Sequence, residues 1–291
     1  MIDLIKKKLT AYGVANQLEE EHAVKEILQE IALYGLWRAG FFEVAGFQGG
    51  TSLRILHGMI RFSEDLDFIL KVPDSEFTWP VYLKGMLDCF EEFGLKSEVL
   101  NKSRMDQRIK KALIKDKSIC NQLNLSFFRG NQAKKQKIKL EIDIDPPVHS
   151  DFGYTYLDFP LDFEVCHQDL NSNFSLKLHA LLCRPYLKGR DWYDFSWYIK
   201  QGVQINIPHL HAALFQWGPW ANQKINFNIE WLKTNLIRKV ALIDWHVAAN
   251  DVQQFLKPLE QHSLSLWSEK FFLHKIEKLS SKKIDVSFRR R

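Results

Sequence analysis

From residue 137 to 145 the chain alternates charged and apolar residues at every step: Lys137-Ile138-Lys139-Leu140-Glu141-Ile142-Asp143-Ile144-Asp145. Successive side chains of a strand point to opposite faces, so this pattern requires a strand lying on an apolar layer with its other face open to polar partners. Leu140, Ile142 and Ile144 pack beneath, while Glu141, Asp143 and Asp145 share the upper face. Further strand candidates are 62–72, 95–100 and 119–128, with a short edge strand over 163–166. A helix is expected over 18–36, with Val24, Ile27, Leu28 and Ile31 on one face and acids in its first turn. Another is expected over 81–93, and a third opens at 51–56. Beyond residue 171 the expected elements are all helices: 174–183, 192–200, 208–215, 229–245 and 263–279. The fold class is therefore α+β, with a mixed sheet lobe over 1–170 and a helical C-terminal lobe over 171–291.

Composition excludes several alternatives. The chain of 291 residues is 46% hydrophobic and 26% charged, which does not suit a disordered or collagen-like chain. Its apolar runs fall well short of the roughly twenty residues a membrane helix needs. The opening Met1-Ile2-Asp3-Leu4-Ile5-Lys6-Lys7-Lys8 has no apolar stretch after its lysines and does not read as a signal peptide. Cys89, Cys120, Cys166 and Cys183 are far apart, so neither a zinc site nor a disulfide framework is indicated, and a reduced, cytoplasmic protein with no membrane partner is expected. The net charge of +5 hides an asymmetry. Between Lys102 and Lys139 there are twelve Lys or Arg against Asp106 and Asp116, giving that window +10 and the remainder −5. A second cluster, Lys282, Lys283 and Arg289 to Arg291, ends the chain. Such asymmetry points to a polyanionic partner.

The chemistry is concentrated in two runs, Gly49-Gly50-Thr51-Ser52-Leu53-Arg54 and Arg61-Phe62-Ser63-Glu64-Asp65-Leu66-Asp67-Phe68. On a strand Asp65 and Asp67 project together, and two adjacent carboxylates favour a cation between them. Hard oxygen ligands in that arrangement suit Mg²⁺ bridging to phosphates. Gly49-Gly50 leading into a helix offers backbone N–H groups to an anion. A two-metal site also wants a third carboxylate on a neighbouring strand; alternation alone does not choose between Glu141 and Asp143. The combination points to phosphoryl or nucleotidyl transfer. Lys177, on an otherwise apolar helix, is costly to bury unless an anion receives it.

These two runs, with Lys177-Leu178-His179-Ala180-Leu181-Leu182-Cys183-Arg184 and Lys188-Gly189-Arg190-Asp191-Trp192-Tyr193-Asp194, resemble the AbiEii/AbiGii-type nucleotidyltransferases of the DNA polymerase β-like superfamily. The resemblance covers about residues 30 to 200. It implies a nucleotidyltransferase lobe followed by a helical lobe, and the toxin of a bacterial toxin–antitoxin or phage-defence system with its cognate antitoxin as partner. Carried over by position, Gly49, Gly50 and Thr51 would hold the triphosphate of an NTP, with Arg54 assisting. Asp65 and Asp67 would bind Mg²⁺, and Lys177 would reach the phosphates. Asp191 would position Lys177 or act on the acceptor. The expected reaction moves a nucleoside monophosphate from an NTP to an acceptor, with the tRNA acceptor end fitting the basic window. Nucleotidylation of a protein or small molecule, or a non-catalytic nucleotide- or RNA-binding toxin, are the alternatives.

Overall fold

The structure, a computed structural model, describes residues 2–102, 108–116, 118–119, 123, 125 and 136–279. The chain packs as two compact units. The first comprises Met1–Pro146, Phe152–Gln168 and Gln254–Leu259; the second comprises Pro147–Asp151, Asp169–Gln253 and Glu260–Arg291.

The first unit is built on one mixed sheet. Its strands are β1 (Ala45–Gln48), β2 (Leu66–Leu70), β3 (Ser97–Asn101), β4 (Ile109–Asp116), β5 (Gln136–Asp143), β6 (Phe152–Leu157) and β7 (Phe163–Gln168), in the order β3-β4-β5-β2-β1-β7-β6. Strands β2 and β5, and β1 and β7, run parallel; the other neighbours are antiparallel. The helices of this unit are α1 (Ile2–Ala11), α2 (Gln17–Arg38), α3 (Phe41–Val44), α4 (Gly49–His57) and α5 (Pro80–Glu92). Helix α2 starts at a reciprocal cap: Glu19 N–H donates to Asn16 Oδ1 at 3.0 Å, while Asn16 Nδ2 donates to Glu19 Oε1 at 2.8 Å. Ile27 and Ile31 of α2, Met86 and Phe90 of α5, and Ile138, Leu140 and Ile142 of β5 share one buried core. Each such side chain contributes about 1.5–3 kcal/mol by leaving water.

The alternation at 137–145 is thus realised: in β5 the apolar residues are buried and Glu141 and Asp143 lie on the other face. Asp145 falls beyond the strand end. Other expectations are corrected. The strand expected over 62–72 is shorter, because residues 58–65 form an irregular connection anchored elsewhere; Phe62 N–H donates to the Phe255 carbonyl at 2.9 Å. The strand expected at 163–166 is not an edge, because β6 covers it. Of the strand expected over 119–128, the described residues Ile119, Leu123 and Leu125 are not in a strand, and the rest lies outside the described residues.

Among the described residues, the regular elements of the second unit are all helices. Its principal helices are α6 (Leu170–Cys183), α7 (Gly189–Gln201), α8 (Ile207–Gln216), α9 (Ile229–Val240), α10 (Trp245–Gln253) and α11 (Glu269–Glu277). The helix expected over 229–245 therefore breaks into α9 and α10. Aromatic stacking builds the core: Trp245 stacks on Phe272 at 4.1 Å between ring centres, and Trp192 meets each ring edge-on at 5.3 Å. Among the described residues no helix is long and apolar enough to cross a membrane.

Candidate active site

The glycine turn forms the start of α4 and is pressed against the acid-bearing strand. Gly49 has a φ of +77°, and a Cβ there would stand 2.7 Å from Asp67 Oδ2. A Cβ on Gly50 would run into Arg61 Nη2. The first contact requires glycine, also because left-handed backbone disfavours a side chain; the second would displace the end of the Arg61 side chain. The Thr51 hydroxyl donates to the Asp65 carbonyl, and Ser52 Oγ donates to the Gly49 carbonyl at 2.9 Å. The side chain of Thr51 therefore ties the helix start to the segment carrying Asp65. Arg61, 3% exposed, donates from Nη1 to the Phe62 carbonyl at 3.0 Å, and Gln29 Nε2 donates to the Ser63 carbonyl at 3.2 Å. These contacts define residues 61–65 without strand pairing. Arg61 opens the acid-bearing run without a role of its own in the sequence reading, and no pattern flagged Gln29.

Strand register decides which acids meet. Asp67 of β2 pairs with Gln48 of β1 on one side and with Glu141 of β5 on the other. Asp65 precedes the strand, so strand alternation does not govern its direction. It lines a cleft of 530 Å³ together with Lys25, Glu64, Lys137 and Lys139, a volume in the range of ligand sites. Asp143 pairs with Ile69, two residues further from Asp67. Both of its oxygens are taken by Arg108, at 2.8 Å from Nε and 2.7 Å from Nη2. Glu141 receives Lys139 at 2.8 Å and Lys111 at 3.0 Å. Burial works to raise the Glu141 pKa, but those two ammonium groups outweigh it and hold the carboxyl below its usual value. Burial likewise works to discharge Lys139, yet Glu141, then Asp65 and Asp67, keep its pKa above the ordinary lysine value.

That last result bears on a metal. Among the described residues no three His, Cys, Asp or Glu form a ready metal cage. Asp65, Asp67 and Glu141 nonetheless act together on one positive charge, the Lys139 ammonium. Carboxylate oxygens are the donor type that suits Mg²⁺.

Arg54, Lys177 and Asp191 each have partners within their own unit. Arg54 on α4 donates from Nε to Glu26 Oε2 at 2.8 Å and from Nη1 to the Met59 carbonyl at 3.2 Å, with its guanidinium 4.4 Å from the Phe62 ring centre. It is engaged by its own unit. Lys177 and Asp191 are in the second unit and meet each other: Lys177 Nζ lies 2.7 Å from Asp191 Oδ1 and 2.9 Å from Asp194 Oδ2. Arg184 pairs with the other Asp191 oxygen. Burial alone would discharge Lys177, but Asp191 and Asp194 more than offset it and raise its pKa. Burial would raise the Asp191 pKa, but Lys177, Arg184 and Lys188 bring it down to about 2. Lys177 does not snorkel to the surface; carboxylates receive it. Asp194 and Arg184 complete the cluster, and the spacing of Asp191 and Asp194, three apart on one helix face, was the available signal.

A glycine turn opening a helix, packed against a carboxylate strand whose parallel neighbour adds another acid, is the equipment of an enzyme that transfers phosphorus-containing groups. The chain belongs to the family described as Nucleotidyl transferase AbiEii toxin, Type IV TA system, whose model matches residues 31–274. It is a nucleotidyltransferase of a toxin family, and membership in a toxin–antitoxin system implies an antitoxin partner. Two solved structures are similar to it. A candidate nucleotidyltransferase from H. pylori is 18% identical, with 87% of this chain and 95% of that one covered and a TM-score of 0.47. JHP933 from Helicobacter pylori is 17% identical, with 91% and 96% covered and a TM-score of 0.49. Among curated proteins no sequence matches the chain.

Proposed function

We propose that this nucleotidyltransferase works with Mg²⁺ and transfers a nucleoside monophosphate from an NTP to an RNA acceptor, the acceptor end of tRNA being the form that fits best. The observation that carries the reading is the register: Asp67 lies between Gln48, which leads into the glycine turn, and Glu141. Asp65, Asp67 and Glu141 would hold Mg²⁺, with Asp143 given over to Arg108. When bound, the ion supplies charge neutralisation at the phosphates and activation of the attacking hydroxyl.

The chain's own groups do the rest. Backbone N–H groups at the start of α4 offer donors and a positive dipole end to phosphate oxygens. Thr51, through the Asp65 carbonyl, fixes the acid segment relative to that turn. Lys111 and Lys139 hold the Glu141 carboxylate in place. In the second unit Lys177 positions Asp191, and through it Arg184. Catalysis of this kind is mostly positioning and charge neutralisation.

The basic window supports an RNA acceptor. In the β4–β5 register Lys111 stands opposite Glu141 and Lys115 opposite Lys137. Side-chain alternation puts Lys111, Lys115, Lys137 and Lys139 on the face that carries Glu141, so a row of lysines runs outward from the acids. Such a row attracts a phosphate backbone without reading its sequence. The basic residues at 104, 117, 129, 134 and 135, and the C-terminal cluster, lie outside the described residues.

The test is incubation of the purified protein with Mg²⁺, each α-³²P-labelled NTP in turn, and bacterial RNA or protein extract. Label on a tRNA-sized band supports the reading. Label confined to protein or to a small molecule overturns the RNA acceptor, and label nowhere overturns the transfer.

A further inference from the structure

Helix α2 is buried on two opposite faces. Val24, Ile27, Leu28 and Ile31 belong to the core of the sheet unit. His22, Lys25, Glu26 and Gln29 repeat the same spacing two residues out of phase, about 200° around the helix, and so form a second stripe. This stripe is polar, yet Glu26 is 7% exposed and Gln29 is fully buried. Polar groups taken out of water cost stability unless they are bonded, so a buried polar stripe needs a reason beyond packing.

Every member of the stripe addresses one short stretch, residues 59–64, which leads into Asp65 outside any strand. The His22 ring meets the Phe62 ring edge-on at 4.9 Å between centres. Lys25 Nζ lies 3.4 Å from Glu64 Oε1. Glu26 Oε2 holds the Arg54 guanidinium, whose Nη1 in turn donates to the Met59 and Ile60 carbonyls. Glu26 Oε1 accepts the Tyr12 hydroxyl at 2.9 Å, which fixes the carboxylate from its other side. Gln29 Nε2 donates to the Ser63 carbonyl, while its Oε1 is buried with no hydrogen-bond partner among the described residues. A buried amide that makes one bond and leaves its acceptor unmade is a poor choice for stability. It is a good choice for holding a backbone carbonyl in one place.

We propose that the polar stripe of α2 sets the position of Asp65, and that Gln29 is a positioning residue for nucleotidyl transfer. Asp65 has no ladder to fix it, because strand pairing in β2 begins at Leu66. Its segment is instead pinned by α2 over residues 59–64 and by Thr51, whose hydroxyl donates to the Asp65 carbonyl. With that segment free to shift, Asp65 would lose its place relative to Asp67 and Glu141, which are fixed by register. Displacing a reacting group by about an ångström costs about 100-fold in rate. The part in transfer rests on the reading proposed above, while the clamp on residues 59–64 stands apart from it.

The test is Gln29→Met in the full chain, which keeps the length of the side chain and removes both polar atoms. Losing the Ser63 bond and losing the unmet Oε1 offset each other, so the melting temperature should stay within about 3 °C of wild type. Hydrogen exchange followed by mass spectrometry should accelerate about tenfold in peptides spanning 59–66 and stay unchanged in peptides spanning β5. With an α-³²P-labelled NTP and RNA, kcat should fall about tenfold or more while the KM for NTP stays within about twofold. Lys25→Met, at a half-buried position, breaks the Glu64 contact and should accelerate exchange in the same peptides by a smaller factor. A lower melting temperature with faster exchange throughout the sheet unit would mean a merely structural role and overturns the proposal. So does transfer at the wild-type rate, or a slower rate with exchange at 59–66 unchanged. If wild type labels nothing in any extract, the transfer reading falls; accelerated exchange at 59–66 then still supports the clamp, and unchanged exchange overturns it.

Discussion

Replacing Asp191 by Asn keeps the shape of a side chain that is 3% exposed and removes its charge. In the native protein Lys177, Arg184 and Lys188 overcome the effect of burial and lower the Asp191 pKa from 3.8 to about 2. At about 1.4 kcal/mol per pH unit, that displacement is worth about 2–3 kcal/mol of folding free energy. The folded-state pKa is the depressed one. The contribution is therefore complete above the unfolded-state pKa, declines as the pH falls from about 4, and is gone below about 2. The variant also leaves Lys177 with Asp194 alone and Arg184 without its carboxylate, and breaking a buried pair costs up to about 5 kcal/mol. Asp191→Asn should thus be less stable than wild type by about 2–5 kcal/mol at pH 7. That gap should narrow steadily between about pH 4 and pH 2. Urea unfolding followed by tryptophan fluorescence reads the right unit, because seven of the nine tryptophans (192, 197, 217, 220, 231, 245 and 267) belong to the helical unit. A gap under about 1 kcal/mol at pH 7, or one that stays constant down to pH 2, would refute the reasoning.

Other substitutions separate site from scaffold. Gly49→Ala places a methyl against Asp67 in a left-handed backbone; it should cost about 1–2 kcal/mol in a melt and about 100-fold in transfer rate, the usual effect of displacing a reacting group by an ångström. Arg54→Met removes the Glu26 pair and should destabilise the sheet unit by about 3 kcal/mol, while NTP affinity measured by titration stays within about twofold; a large loss of NTP affinity in a well-folded variant would restore Arg54 to the phosphate site. The double variant Lys115→Met, Lys137→Met should weaken RNA binding and reduce the slope of log K against log salt by about 0.7 for each phosphate that is no longer neutralised, read from binding isotherms at several salt concentrations.

What the sequence disclosed, and what it hid, follows from the range of the interactions involved. The glycine turn and the strand at 137–145 were legible because turn chemistry and period-two alternation are local. Strand β4 was not read as a strand because Lys110 interrupts the pattern: it is 7% exposed and lies opposite Ile142 on the buried face. Strand β6 carries exposed Tyr154 and Tyr156 where polar residues would mark a solvent face. The choice between Glu141 and Asp143 rests on a register across two strands some seventy residues apart, and on Arg108 claiming one of them. Asp65 leaves the strand because residues 61–65 are held by Gln29, Thr51 and Phe255, contacts that no window of sequence contains. Lys177 shows the opposite case: its need for an anion was readable from an apolar helix, and Asp191 was within reach of that reasoning. Asp194, three residues on from Asp191, was within the same reach, whereas Arg184, which shares the duty, was visible only once the helices packed.

The central claim is that Asp65, Asp67 and Glu141 form the centre at which a nucleoside monophosphate is transferred. It is tested most directly by the initial rate of label transfer from an α-³²P-labelled NTP to RNA, compared between wild type and Asp67→Asn at equal concentration, with a thermal melt of each. The account predicts a rate lower by about 1000-fold or more, in keeping with the loss of a principal charge-stabilising group, and a melting temperature that does not fall, since one of several crowded acids has been neutralised. Transfer by Asp67→Asn at a rate near that of wild type would contradict it.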